Sequence, residues 1–428
     1  MERSGIRHRL TSPLLLVAAI LVVGCSSSAT PSPTAAPPAT QAPTVAAPTT
    51  AASETAAATA AVSTTAWKPD STCASTDPAV TAAIANTTAR TGPQSKWYGP
   101  TTGPKPAAGT KIVWIPTDAK NALSLSWAQD GQAVSAKLGW TYTMIDGQGT
   151  AQGWTQAFTQ AIALNPAIIV TSADGPTLKN QIADAAGKGI KVIGIHATAL
   201  PGPDATVPGL YTNITTDPRD IATAMAEYII ADSCGTAKAI VEYDSAYQIA
   251  TVKGETMKAV FQKCTTCTLL DYVNSPLAQL STLQPQLCAN WATKYGKGWY
   301  AMTIYDGVWD YCVPSLKSAG LAPGDVKLVA SDGTLQGYQR IQAGDFQVAT
   351  VPEPAEMEAY IAINEAIRAV GGLQPDYGTG AGQWTQPVFI HFKDGIHGDN
   401  LATEGGDKNQ FFPTNDYINK YLTLWGVQ

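Results

Sequence analysis

From residue 109 onward, short apolar runs rich in β-branched residues alternate with longer stretches whose apolar side chains recur every three or four positions. The runs are KIVWIP (111–116), WTYTMI (140–145), AIIVT (167–171), IKVIGI (190–195), KAIVE (238–242), LLDYV (269–273), WYAMTI (299–304), VKLVA (326–330) and QVATV (347–351). Runs that are apolar almost throughout, rather than at every second position, predict strands buried on both faces. The stretches between them, such as TLKNQIADAAGKG and DIATAMAEYIIADS, carry helical spacing and close on glycine or a polar cap. The alternation predicts an α/β fold of parallel sheets flanked by helices.

The rhythm pauses at LYTNITTD (210–217) and then resumes. That pause predicts two Rossmann-like lobes joined by a hinge, because one sheet of ten or more strands would strain against its own twist. We place the N-terminal lobe at 109–213 and 352–385. The C-terminal lobe takes 214–351 and 386–428, with a tail (NDYINKYLTLWGVQ) packing back over a lobe. The hinge runs near 211–214 and 350–352, with a third crossing near Gln386. In open parallel sheets a ligand sits beyond the carboxyl ends of the strands. Those ends read Thr117-Asp118, Asp146-Gly147, Ser172-Ala173-Asp174, His196-Ala197, Tyr243-Asp244-Ser245, Tyr305-Asp306-Gly307 and Ser331-Asp332-Gly333. Polar residues recur where a cleft would open.

The N-terminal part of the chain is of another kind. Arg3, Arg7 and Arg9 precede the apolar run PLLLVAAILVV, too short for a comfortable membrane span, and the run ends in Val22-Val23-Gly24-Cys25. That order resembles a bacterial lipoprotein signal, with residues 1–24 removed and Cys25 lipidated. Residues 26–66 are nearly all Ala, Thr, Pro and Ser, which cannot form a core. They form a tether of roughly 35 Å if coiled and up to about 125 Å if stiffened by proline. Residues 67–108 form an N-terminal extension ahead of the first strand.

Loss of the signal takes basic residues from 27 to 24 and acidic ones from 33 to 32, so the formal charge moves from -6 to -8. No basic surface for nucleic acid follows from that balance. With Cys25 assigned to lipid, Cys73, Cys234, Cys264, Cys267, Cys288 and Cys312 remain, an even number that suggests disulfides in an exported protein. Among the 15 connectivities we favour Cys264 with Cys267, in KCTTCTLL at a helix end, and then Cys288 with Cys312. A redox or zinc role for the CxxC pair lacks the companion ligands and the helix N-terminus such chemistry uses.

Five segments stand in a telling order: NITTDPRDIATAMAEYI, KGETMKAVFQKC, TIYDGVWDYCVPSLKSAG, KLVASDGTLQG and VATVPEPAEMEAYIAINEAI. On these marks residues from about 111 to 392 resemble a type I periplasmic solute-binding protein of the ribose/galactose-binding class. The resemblance implies a cleft between the lobes and a small polar ligand, with carbohydrates and polyols the first expectation. Hydrogen bonds to charged groups contribute about 1.5–3 kcal/mol each, and micromolar binding needs about 8 kcal/mol, so a few carboxylates suffice.

The resemblance also nominates residues. Asp332 matches the ligand-binding aspartate of the family; its alternative is to cap the helix starting at Thr334. Glu353, in VPEP, stands where sugar binders carry Gln or Asn; it is otherwise a solvated charge between prolines. Asp306 follows a strand as a family aspartate does, yet that residue often caps locally, leaving Tyr305 to face the ligand. His196 with Ala197 replaces the Asp and Arg or Ser that grip hydroxyls, which argues against a ribose-like ligand; a histidine there is otherwise structural. Asn121 and Trp127 fall where the family uses Asn and a stacked Phe, with Trp127 otherwise core. Tyr247 and Lys253 surround the position of a family arginine, with Lys253 otherwise a surface charge. Asp118, at the end of the first strand, completes the candidate set.

Enzyme readings fare worse. GQGTAQG (147–153) follows a strand, but its third glycine is one position late for a dinucleotide loop. No GxSxG, HExxH or P-loop motif occurs, and the Asp residues that would suit a glycosidase are explained by their strand-end positions. The chain is expected to be a non-enzymatic, extracytoplasmic lipoprotein. It would work as a monomer without cofactor, passing its ligand to the permease of an ABC importer and touching the membrane only through its lipid. The alternative is a ligand-sensing receptor lipoprotein of the same fold.

Overall fold

A computed structural model describes residues 67–91, 97–378, 388, 390–393 and 416–427. The signal segment, Cys25, the tether and the crossing near Gln386 lie outside the described residues. Among those described, no helix is long and apolar enough to cross a membrane.

The first sheet contains β1 (Lys111–Ile115), β2 (Thr141–Met144), β3 (Ile168–Thr171), β4 (Lys191–Ile195) and β5 (Leu210–Ile214), all parallel, in the order β2-β1-β3-β4-β5. The second contains β6 (Lys238–Tyr243), β7 (Thr268–Asn274), β8 (Trp299–Met302), β9 (Val326–Asp332) and β10 (Gln347–Pro352), parallel in the order β7-β6-β8-β9-β10. A two-residue strand, β11 (His391–Phe392), adds to β10 antiparallel. All nine runs read from hydrophobic pattern are strands, and β3 and β8 are buried at every position as two-sided coverage requires.

One expectation is corrected. Residues 211–214, read as hinge, belong to β5, paired with β4 in the first sheet. Tyr, Thr and Asn interrupt its apolar run, which hid the strand. The crossing itself is the short segment Thr215, Thr216 and Asp217, and Asp217 caps the next helix through its side chain. The return crossing follows β10 at Glu353 and Pro354.

Helices cover the sheets: α1 (Pro78–Arg90), α2 (Ala122–Lys137), α3 (Ala151–Ala163), α4 (Lys179–Gly187), α5 (Pro218–Asp232), α6 (Gln248–Phe261), α7 (Leu280–Tyr295), α8 (Val308–Ser318), α9 (Leu335–Ala343), α10 (Ala355–Val370) and α11 (Asp416–Trp425). After the return crossing, α10 packs on α2 and β4 of the first lobe. It is buried nearly all round, with Glu358, Asn364 and Glu365 among its buried residues. Residues 386–428, assigned above to the second lobe, divide: β11 extends the second sheet, whereas α11 packs on α10, stacking Trp425 on Tyr360. In the extension, α1 packs on α5.

Three disulfides join Cys73 to Cys234, Cys264 to Cys267 and Cys288 to Cys312, with Cα separations of 5.6, 5.3 and 5.5 Å. All fall within the usual range for the bond. The first ties the extension to the turn after α5.

Candidate functional site

Both sheets share one strand order, with the first-entered strand inside the sheet and its successors running out on either side. Ligands in such sheets bind where that order reverses, beyond the strand ends. Here the reversals lie between β1 and β3 in one lobe and between β6 and β8 in the other, and the loops leaving these strands meet. Between them lies a half-open cavity lined from the first lobe by Thr117, Asn121, Ser124, Trp127, Ser172 and His196 and from the second by Tyr247, Lys253, Ile304, Tyr305 and Asp332. It leaves about 70 Å³ for the centres of water-sized molecules, several times the roughly 10–15 Å³ that one water needs.

The lobes are closed on each other. Tyr247 Oη lies 3.2 Å from Thr117 Oγ1, Gln248 N–H donates to Asp174 Oδ1 at 3.0 Å, and Ala199 N–H donates to Gln248 Oε1 at 3.3 Å. Each bond joins one lobe to the other.

Behind the cavity runs a line of buried charges. Lys253 Nζ donates to Asp332 Oδ1 at 2.9 Å, to Ser331 Oγ at 3.2 Å and to Glu353 Oε2 at 3.4 Å. His196 Nε2 follows, 3.1 Å from Glu353 Oε2 and 3.5 Å from Glu358 Oε1, off the line of a straight hydrogen bond to either. Trp127 Nε1–H closes the line on Glu358 Oε2 at 2.8 Å. Glu353 also ties the two crossings together, since its Oε1 accepts the Thr216 N–H at 2.9 Å.

Burial and pairing compete for the charge state of each group. For His196, burial works against the charged ring, but the Glu353 and Glu358 carboxylates prevail and lift its pKa to about 10. Burial would likewise discharge Lys253, yet Asp332 and Glu353 hold the ammonium above its ordinary range. Glu353 is driven well below the carboxylate range by His196 and Lys253 in spite of its burial. Glu358 goes the other way: burial outweighs His196 and lifts it to about 7. Asp332 is raised by burial, against the pull of Lys253.

His196, the residue after β4, and Asp332, the last residue of β9 in the other lobe, both have left-handed backbones, with φ of 54° and 84°. Non-glycine residues rarely take that conformation, and it concentrates where a side chain must be aimed. Gly333 continues the turn at φ 76°, and a Cβ there would lie 2.5 Å from Pro352 Cβ.

The structure brings together Asn121, Trp127, His196, Tyr247, Lys253, Tyr305 and Asp332 on the cavity wall. Asp332 does not cap α9; Thr334 does, accepting the Gly337 N–H. Lys253 is no surface charge but is 3% exposed, and Glu353 is no solvated charge but fully buried, set behind the wall. Trp127 serves as core and wall at once, with its ring edge on His196 at 4.6 Å between centroids. Asn121 caps α2 while lining the cavity. Asp306 stays out of the cavity: its carboxylate accepts from Gly333 N–H, Thr334 N–H, Thr350 Oγ1 and Gln347 Nε2, fixing β8, β9 and β10 together. Asp118 accepts the Lys120 N–H in a turn away from the wall. Glu358 and Ser124 were not foreseen, and Ser172 was read only as one of the polar strand ends. Glu358 sits seven residues before Glu365 in α10, and that spacing puts both on one buried face.

A family model described as a periplasmic binding protein domain matches residues 112–374. No curated protein matches the chain. Among solved structures, a sugar ABC transporter protein from Yersinia enterocolitica superposes with a TM-score of 0.62 at 14% identity, covering 76% of this chain and 99% of that one. A 5-methylthioribose transporter solute-binding protein from Thermotoga lettingae gives 0.61 at 16% identity, over 76% and 97%. An ABC transporter solute-binding protein from Agrobacterium vitis with bound allitol gives 0.58 at 16%, over 67% and 96%. At these identities the likeness is one of fold.

Proposed function

Since this chain belongs to the periplasmic binding protein family, we propose that it is the lipid-anchored solute-binding subunit of an ABC importer, outside the cytoplasmic membrane. On this reading it binds a carbohydrate or polyol between its lobes, alters no bond in it, and hands it to the permease. The observation that carries the reading is the cavity at the strand-order reversals of both sheets, walled by residues of each lobe. A sugar or polyol presents hydroxyls and apolar C–H faces. The wall offers Asn121, Ser124, Ser172 and Asp332 to the first and Trp127, Tyr247 and Tyr305 to the second. The ligand favours the closed form only by the difference in its affinity for the closed and open forms. ATP is spent by the transporter. The anchor at Cys25 rests on its sequence context, and the monomeric state is part of the same proposal.

The test is a thermal-shift screen against sugars, polyols, nucleosides and aromatic acids, followed by scattering with any solute that stabilises the chain. A ligand at 100 times its Kd raises stability by about 2.7 kcal/mol, enough to move the melting temperature visibly. A sugar or polyol hit is expected; stabilisation by the aromatic acids alone overturns the ligand assignment.

A further inference from the structure

The charges behind the cavity include three ligand-type side chains that a neutral solute has no need of. One donor atom from each of His196, Glu353 and Glu358 falls within 4.8 Å of the other two. The two edges at the imidazole, 3.1 Å to Glu353 Oε2 and 3.5 Å to Glu358 Oε1, bracket the spacing of about 3.3–3.4 Å between ligands of a tetrahedral ion with bonds of about 2.0–2.1 Å; the edge between the two carboxylate oxygens is held only within 4.8 Å and would draw in on binding. His196 Nε2 and Glu358 Oε1 are both buried without a hydrogen bond, and Glu358 is 0% exposed. Two unsatisfied buried atoms turned toward the same point call for a partner.

The surroundings orient the carboxylates in the way metal ligands are oriented. Each is held by its outer oxygen, Glu353 Oε1 by the Thr216 N–H and Glu358 Oε2 by the Trp127 indole N–H, which leaves the inner oxygens aimed at the imidazole. Such outer bonds are what fix first ligands around an ion. Lys253 touches Glu353 Oε2 only at 3.4 Å and lies closer to Asp332, at 2.9 Å. With Lys253 and Asp332 paired, an ion that displaces the proton held between His196 and its carboxylates meets a neutral imidazole and two carboxylates, two negative charges in a buried place. A divalent cation brings the sum to zero.

We propose that His196, Glu353 and Glu358 form a binding site for a divalent transition-metal ion of the zinc type at the back of the cleft, one imidazole and two carboxylates with a further position for water or solute. Mixed nitrogen and oxygen donors at this spacing suit zinc or cobalt better than calcium, which takes six to eight oxygens. The ion would clamp the return crossing, which carries Glu353, to the strand end that carries His196. The site stands whichever solute the cleft takes.

The experiment uses the full, untagged chain in detergent, stripped with chelator and dialysed against Zn²⁺ or Co²⁺ without any sugar. One equivalent of zinc is expected to be retained, and the cobalt form should show the intense visible bands of a four-coordinate ion. His196→Ala should lose the equivalent, and Glu358→Gln, which keeps the Trp127 bond, should weaken retention at least tenfold while its circular dichroism stays unchanged. His391→Ala should retain metal as wild type does. Wild-type chain that keeps no metal, or retention undiminished in Glu358→Gln, overturns the site; if His196→Ala fails to fold, Glu358→Gln decides. Because no solute is present, an empty sugar screen and an absent metal are separate results.

Discussion

The Lys253 ammonium donates to Asp332 at 2.9 Å across the inside of the second lobe, and the two side chains are 4% and 8% exposed. A buried pair of this kind contributes little net stability when compared with an apolar replacement, but breaking it strands a charge. Lys253→Met should therefore cost about 3–5 kcal/mol in denaturant unfolding. Adding Asp332→Asn should recover part of that loss. A single variant as stable as wild type would mean that Asp332 already finds water.

Closure of the lobes in the structure includes a contact between the Tyr247 and Thr117 hydroxyls at 3.2 Å. Tyr247→Phe removes about 1 kcal/mol of hydrogen bonding from the closed form alone, which shifts the closed-to-open ratio about fivefold. A larger radius of gyration without ligand is the expected result in small-angle scattering.

Glu242 gives a pH dependence of definite sign. Burial raises its pKa to about 8 from an ordinary 4.5, against the opposing hydrogen bond from Gln284. The folded chain thus keeps a proton that the unfolded chain releases, so stability falls as pH rises from about 4.5 to about 8 and is level beyond. Glu242→Gln should abolish that part of the slope. At pH 8 the variant should exceed wild type by on the order of 4 kcal/mol, with the difference vanishing near pH 4.5. Melting curves over this range provide the check.

The Cys73–Cys234 bridge closes a sequence separation of 161 residues. Replacing both cysteines by serine should lower stability by about 2–5 kcal/mol. The loss should be local first: hydrogen exchange is expected to speed up in α1, which packs on α5, before it does in the strands.

The sheets were legible because two-sided burial writes itself as unbroken apolar runs, and KIVWI or WYAM admits little else. β5 was not, since LYTNI carries polar side chains that its neighbours bury: Asn213 Nδ2 is satisfied by the Thr198 and Leu200 carbonyls, contacts no pattern of residues predicts. Lys253 illustrates a signal that was present and outweighed. Ile249, Lys253 and Met257 stand four apart on α6, so the lysine had to share their buried face. The charge suggested water; the spacing was the better guide. Asp306 could not be told from Asp332 by position, because both end strands, and only their partners separate a structural carboxylate from one facing the cavity.

Glu353 holds the Thr216 N–H of one crossing while standing in the other. Any swing of one lobe that leaves β5 and β10 intact must then turn about this residue as about an axle. Displacement grows with distance from an axle, so His196 and Lys253 would travel little while the Gln248 side of the mouth sweeps far. The rear of the cleft is a seat that keeps its shape, and the entrance is a shutter.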